Sequence, residues 1–322
     1  MDISLTTRWN ASRHSDGRAM VDEILELGFT AVELGYDTRR DLVEGVKARQ
    51  AEGAVQVYTV HNFCPVPMGV SKGHPELFTF GDFDRDVRDL AVKHTRATIE
   101  FAAEIGAKVV VSHSGNVKMT RRTKTLKEMA RTGQTGSRRY QKEATKLIND
   151  RDKLGRKQIP FVEQCLEQLL PDLERHGIAI ALENLPTWEA LPTEVEMLKL
   201  CRKFEHPQIR YWHDMGHGQI RENLGLINHH RWLENLEPYL AGMHVHDCIR
   251  PDRDHTMPPL GDMDFTRYKD FGSRTDIPRV IEPTTKTPAS EVRGALEFLN
   301  ECWAAEAEHS SPPSTTNSTT QA

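Results

Sequence analysis

Seven short apolar runs in this 322-residue chain end on, or are followed at once by, a carboxylate or an imidazole: Glu33, His61, His113, Glu183, Asp214, the pair His244 and His246, and Glu282. Oxygen and nitrogen donors without thiolate are the ligand types of Mn²⁺, Mg²⁺, Co²⁺ and Zn²⁺, and oxygen-rich sets lean to the harder ions. Glu183, Asp214, His244 and Glu282 offer four ligands. An octahedral ion held by them keeps two positions open, which suit the adjacent hydroxyl and carbonyl oxygens of a sugar. Glu183 and Glu282 close the apolar runs Ile178–Leu182 and Val280–Ile281. A carboxylate there is costly to bury alone, so a cation partner is expected.

Each residue also has a purely structural reading. His244 and His246 are two apart, so in a strand they share a side. We read His244 as the ligand and His246 as an orienting or wall residue, with Asp247 placed to orient an imidazole. Asp214 and His217 form an Asp-x-x-His spacing, and an Asx-turn with a capping His is the alternative. His61 and His113 either complete the site or are packed histidines. Glu33 either approaches the site or pairs with Arg39 or Arg40. His255, with Asp252 or Asp254, is either a metal or substrate contact or a loop-surface residue.

The elements that must position these groups follow from one recurring pattern. An amphipathic stretch ends in Gly28, Gly106 or Gly177, and a β-branched run begins one or two residues later. Gly suits the left-handed position that stops a helix, and near-continuous apolar runs are how parallel strands look when both faces are covered. The expected strands are 2–6, 30–34, 55–60, 107–112, 178–183, 209–214, 241–246 and 278–282, separated by helical patterns. Eight such units make a (β/α)₈ TIM barrel in a single domain, 1–307, whose strand ends converge on one rim. Phe83, Val87, Leu90, His94, Ala97, Phe101 and Ile105 are expected to form the inner face of one helix, with Asp82 as its N-cap. The last helix is expected at 288–306, and the Ser/Thr/Pro-rich 308–322 as a disordered tail.

Segment 118–158 stands apart. It holds 14 Lys or Arg against 4 Asp or Glu, a net charge of +10, whereas the whole chain is at -5. A loop at Gly133–Gly136 and a helix from Arg138, broken near Gly155 and Pro160, are expected. This basic, partly helical insert is read as a solvated extension rather than a flap that attracts a phosphate or an acid. With pI near 6.3 and a remainder at -15, nothing global favours nucleic acid as partner. No signal peptide and no apolar stretch of about 20 residues is seen. The five cysteines form no C-x-x-C pair, so a reducing, cytoplasmic setting is expected.

At these residues the chain resembles the xylose isomerase-like TIM-barrel superfamily, in its sugar-phosphate isomerase/epimerase branch. The resemblance runs from the first strand to about residue 306. It rests on Ala31-Val32-Glu33-Leu34, His113-Ser114-Gly115, Ala181-Leu182-Glu183-Asn184, Asp214-Met215-Gly216-His217, His244-Val245-His246-Asp247, Leu260-Gly261-Asp262-Met263-Asp264-Phe265 and Val280-Ile281-Glu282. The resemblance implies a metal held by Glu183, Asp214, His244 and Glu282, with a sugar or sugar phosphate as substrate. Glu183 and Glu282 would face it from opposite sides, one removing a proton next to the carbonyl and the other returning it, through a metal-stabilised enediolate. His217 would contact substrate or a second ion. Trp9, Phe63 and Trp188 become candidate sugar-stacking walls, with ordinary packing the favoured alternative for each. Relatives often pair, so a homo-oligomer is one expectation. The same superfamily contains endonuclease IV-type abasic-site nucleases with three zinc ions, and His61, His113, His217, Asp252 and His255 would complete that larger set. A dehydratase or lyase and a non-catalytic sugar-binding barrel are further alternatives.

Overall fold

The computed structural model describes residues 1–304, so the tail expected at 308–322 lies outside the described residues. Eight parallel strands close into a barrel: β1 (Ile3–Thr6), β2 (Ala31–Leu34), β3 (Gln56–His61), β4 (Val109–Ser112), β5 (Ala179–Glu183), β6 (Ile209–Asp214), β7 (Leu240–Val245) and β10 (Arg279–Ile281). Each pairs with its sequence neighbour, and β10 returns to β1 with Ile3 opposite Arg279. A two-stranded antiparallel hairpin, β8 (Asp247–Ile249) and β9 (Arg253–Thr256), is inserted after β7.

Among the described residues the helices are α1 (Gly17–Leu25), α2 (Arg40–Ala51), α3 (Arg85–Glu104), α4 (Arg122–Arg131), α5 (Arg138–Gly155), α6 (Ile159–His176), α7 (Glu194–Phe204), α8 (Met215–Asn223), α9 (His229–Leu236), α10 (Lys269–Gly272) and α11 (Ala289–Cys302). None is long and apolar enough to cross a membrane. The basic segment supplies α4 and α5, joined through the expected loop, before α6 returns the chain to the barrel.

All eight expected strands are present to within about two residues at each end. Two local expectations for α3 are corrected. Its N-cap is Asp84, whose carboxylate accepts the Asp86 amide at 2.9 Å, while Asp82 caps the turn before it by accepting the Asp84 amide at 2.8 Å. Its inner face is Ala91, Val92, Thr95, Thr98, Ile99, Phe101 and Ala102; of the expected residues Phe101 and Ile105 are buried, Val87, Leu90 and His94 half-buried, and Ala97 and Phe83, which precedes the helix, exposed. Two threonines were overlooked as core residues because they are polar. Both are paired: Thr95 Oγ1 accepts from Asn62, and Thr98 Oγ1 accepts from the Cys64 amide.

Inside the barrel a separate apolar cluster of Val109, Val111, Ala181, Trp212, Ala241 and Val280 plugs the lumen. Trp212 is fully buried, and its ring stands edge-on to His244 at 5.1 Å between centroids. Gly242 is required beside it, because a Cβ there would occupy the indole's place. This plug is the floor on which the strand-end residues stand.

Candidate functional site

Parallel strands of equal register put their last residues at one height. The register pairs Glu183 with Trp212, Asp214 with His244, and Val280 with His244, so the ends of β5, β6, β7 and β10 meet over the plug. Glu183, Asp214, His244 and Glu282 are all buried, and each offers a ligand atom within 4.8 Å of the others. Adjacent and opposite ligand atoms of an octahedral ion with bonds of about 2.1 Å lie roughly 3 and 4.2 Å apart, so the spacing suits a cation.

The hydrogen-bond roles around His244 carry the argument further. Its Nε2 lies 3.3 Å from both carboxylate oxygens of Glu33, a buried residue that also accepts from Thr59 Oγ1 at 2.9 Å. If Nε2–H donates to Glu33, a neutral ring has only a lone pair at Nδ1. That Nδ1 faces Glu183 at 3.3 Å, Glu282 at 3.5 Å and Asp214 at 3.8 Å. A lone pair among three carboxylates is repulsive unless a proton or a cation lies between them. Burial alone would lower the His244 pKa, but Glu282, Glu33 and Glu183 outweigh it and push it well up. In Glu183, burial is likewise outweighed by His244 and His113, which hold the carboxyl well below its usual range. Glu33 thus approaches the site rather than pairing with Arg39, which instead binds Asp41.

The other imidazoles show the same economy. His61 Nδ1 lies 3.0 Å from the Asn62 carbonyl, His217 Nδ1 3.0 Å from that of Asn184, and His255 Nδ1 3.0 Å from that of Glu282. A carbonyl only accepts, so each ring carries a proton on Nδ1 and turns Nε2 to the site, the orientation of metal-ligating histidines. His61 Nε2 and His113 Nε2 both reach Glu183 Oε2, at 3.2 and 3.1 Å. His61, His113 and Glu183 form a second cluster of potential ligands, and His217, His246 and His255 a third.

Asp214 ends β6 and caps α8 at once. One oxygen accepts the His217 amide at 2.7 Å, and the other lies 3.0 Å from His246 Nε2. The structural and the site readings of Asp-x-x-His therefore hold together. His246 Nδ1 accepts the His255 amide at 2.9 Å, which leaves Nε2–H to orient Asp214. Gly216 makes this contact possible, since a Cβ there would fall on the His246 ring.

Several expectations are corrected. Asp247 orients no imidazole: its carboxylate accepts the amides of Cys248, Gly261 and Met263 at 2.7, 2.8 and 3.0 Å and folds the hairpin loop around itself. Asp252 stands away from the ligands and takes a bidentate bond from Arg131 at 2.9 and 2.7 Å; Asp254 takes its expected place, 3.7 Å from His217 Nε2. Trp9 is buried and gives its Nε1–H to the Thr287 carbonyl, and Phe63 packs against Phe78. Trp188 packs on the core beneath Arg221. None of the three lines the cleft.

That cleft, about 850 Å³, opens over the clusters and is lined by Arg8, Tyr36, His61, His113, Glu183, His217, His255 and Glu282, among others. Its volume is in the range of small-molecule sites. Arg8, which follows β1, was not anticipated: its Nη1 binds Glu282 Oε1 at 3.2 Å and its guanidinium stands 5.7 Å from the Tyr36 ring. An arginine after a strand carries no spacing signal. The insert also departs from expectation, because Lys118, Arg121, Lys124, Lys127 and Arg131 line this cleft rather than an outer face.

A sequence model of the xylose isomerase-like TIM-barrel family matches residues 21–302. No curated protein matches the chain by sequence. Solved structures of similar fold include the apo form of a 3-keto-D-glucoside 4-epimerase from E. coli, with TM-score 0.65, 19% identity and coverage of 94% of this chain and 100% of that one. A xylose isomerase-like protein from Rhodospirillum rubrum superposes with TM-score 0.69 at 14% identity, covering 94% and 98%. The IOLI protein, solved with a bound zinc atom, does so with TM-score 0.61 at 12% identity, covering 94% and 98%. At such identities the likeness is one of fold.

Proposed function

The chain belongs to the xylose isomerase-like TIM-barrel family, and from that premise we propose that it is a divalent-metal-dependent isomerase or epimerase of a sugar or sugar phosphate. The observation that carries this reading is His244 Nδ1 facing three buried carboxylates, a donor set that fits a divalent cation of the Mn, Mg, Co or Zn class. When bound, the ion supplies positive charge where the enediolate oxygens develop.

The protein's own groups do the rest. Glu183 and Glu282 come from different strands and both reach the cleft. One takes the proton from the carbon beside the carbonyl and the other returns one, which inverts the centre or moves the carbonyl. A mere binding protein needs no such pair. Arg8 holds one oxygen of Glu282 and so fixes the direction of the other. His217 presents Nε2 to the cleft as a partner for a substrate hydroxyl.

The direct test is a panel of ketoses in deuterated water with Mn²⁺ added. Deuterium incorporation at the carbon next to the carbonyl by wild-type protein, abolished in a folded Glu183→Gln variant, is the expected result. Wild-type-like exchange in that variant would overturn the proton-transfer roles.

A second reading, an endonuclease IV-type nuclease, is favoured by one observation. The clusters His61–His113–Glu183 and His217–His246–His255 flank the four-ligand group. In the isomerase reading they position Glu183 and Asp214 instead. Incubation with an abasic-site duplex separates the two, since incision there with no ketose exchange supports the nuclease.

A further inference from the structure

Helix α4 gives the cleft a second chemical end. Its buried face is Thr123, Leu126 and Met129. Lys124, Lys127 and Arg131 recur at intervals of three and four, so they share another side. Together with Arg121 and Lys118 they line the same cleft as Glu183, His217 and Glu282.

This wall is built into place. Buried Glu189 accepts the Thr123 amide at 2.9 Å and its hydroxyl at 2.5 Å, and the Trp188 amide donates to that hydroxyl at 3.0 Å. Gln158 Oε1 accepts the Lys118 amide at 2.9 Å. The start of α4 is therefore bolted to the segment that follows β5, the strand that carries Glu183.

Its charge is only partly answered. Asp252 pairs with Arg131 and, at 3.8 Å, with Lys127, and Lys124 comes no nearer than 4.0 Å to Glu128. Among the described residues the side chains of Lys118 and Arg121 have no partner. The nearby acids of the lining are engaged: Glu76 accepts from Asn116 and Asp82 from the Asp84 amide. Of the insert's other basic residues, Arg138, Lys142 and Lys146 line a separate groove on α5, Arg122 binds Glu143 at 3.0 Å and Arg151 binds Glu196.

We propose that Lys118, Arg121 and Lys124 form an anion subsite that holds a phosphate group of the substrate while its carbonyl end lies against Glu183 and Glu282. The assignment of that carbonyl end rests on the isomerase reading; the subsite itself does not. A neutral sugar would leave this wall unmatched, whereas a phosphate dianion matches a lysine–arginine set through charge-assisted bonds.

The test measures inorganic phosphate binding by calorimetry on wild-type protein, Lys118→Ala/Arg121→Ala and Lys142→Ala. Two lost charge-assisted contacts, at roughly ten-fold each, weaken phosphate binding about a hundred-fold in the double variant. Lys142→Ala, in the separate groove on α5, leaves it unchanged. Phosphate affinity that survives the double variant would place the anion elsewhere in the molecule and overturn the proposal. So would the absence of measurable binding. A second arm compares kcat/KM for a ketose and its phosphate ester, with a preference for the ester that the double variant removes. Phosphate lost from the double variant with no ketose turned over keeps the subsite and removes the isomerase reading. Duplex DNA binding that weakens in the double variant, without preference for the ester, overturns the substrate assignment.

Discussion

The decisive residue-scale feature is the pair of faces on the His244 ring: Glu33 on one nitrogen, three carboxylates on the other. A carboxylate behind a ligating imidazole fixes its tautomer and raises its basicity, and losing one typically lowers metal affinity about 10–100-fold. Glu33→Gln is therefore expected to weaken Mn²⁺ or Zn²⁺ binding by that factor while the far-ultraviolet spectrum stays unchanged. Metal titration gives the number, and wild-type affinity would remove Glu33 from the site. The type and place of Glu33 were legible in the sequence, but its partner was not, because His244 lies 211 residues away across the lumen. Strand ends could be read because a barrel gathers them. Trp9, Trp188 and Asp252 sit on connections, whose paths no hydrophobic period sets, so the sequence left open whether they reach the site, and they do not.

At the scale of elements, α8 shows why Asp214-Met215-Gly216-His217-Gly218 is written as it is. A Cβ at Gly216 would fall on His246 and one at Gly218 on His229. Gly216→Ala is expected to push His246 off Asp214. Metal affinity then drops more than melting temperature does, which paired titration and thermal denaturation would show; a large melting shift with intact affinity would contradict it.

Beneath α8 runs a buried relay that the sequence did not reveal. Asn184 accepts the Asp214 amide at 2.7 Å and donates to the Asp214 carbonyl at 2.9 Å, which fixes its orientation. Tyr211 must then donate to Asn184 Oδ1 (3.0 Å), accept from His213 (2.7 Å), and so pass the direction through His229 (2.9 Å) to Tyr268 (2.8 Å). Every member is neutral and satisfied. Burial, with His213 beside it, holds the His229 pKa well below the imidazole range. An unfolded His229 takes up a proton below about pH 6.5, while the folded one does not. Its contribution to stability is thus present above that pH and lost as pH falls, at up to about 1.4 kcal/mol per unit. Denaturant titrations from pH 7 to 5 should show a shallower decline for His229→Gln than for wild type; equal slopes would mean that His229 charges in place.

At the scale of the whole molecule, the fold was legible because helix, Gly and apolar strand recur with one spacing, and barrel closure follows from eight such units. What escaped was part of the α3 face, where core threonines broke the apolar period although Phe101 and Ile105 were placed correctly, and the course of the basic insert. Charge alone does not say whether a helix lies over a cleft or over water. The lumen plug joins fold to site, because Trp212 fills the barrel and supports His244. Trp212→Ala is expected to cost about 3–5 kcal/mol of stability. A loss under 1 kcal/mol in denaturant titration would mean that the plug collapses to fill the space.

The four-ligand centre is tested most directly by elemental analysis of wild-type protein and Asp214→Ala, each loaded with excess Mn²⁺ or Zn²⁺ and then desalted. A single tightly held equivalent in the wild type that disappears from the variant is the expected result. Retention of the same metal content by Asp214→Ala, or a wild-type protein that keeps none, would contradict the assignment of Glu183, Asp214, His244 and Glu282 as its ligands.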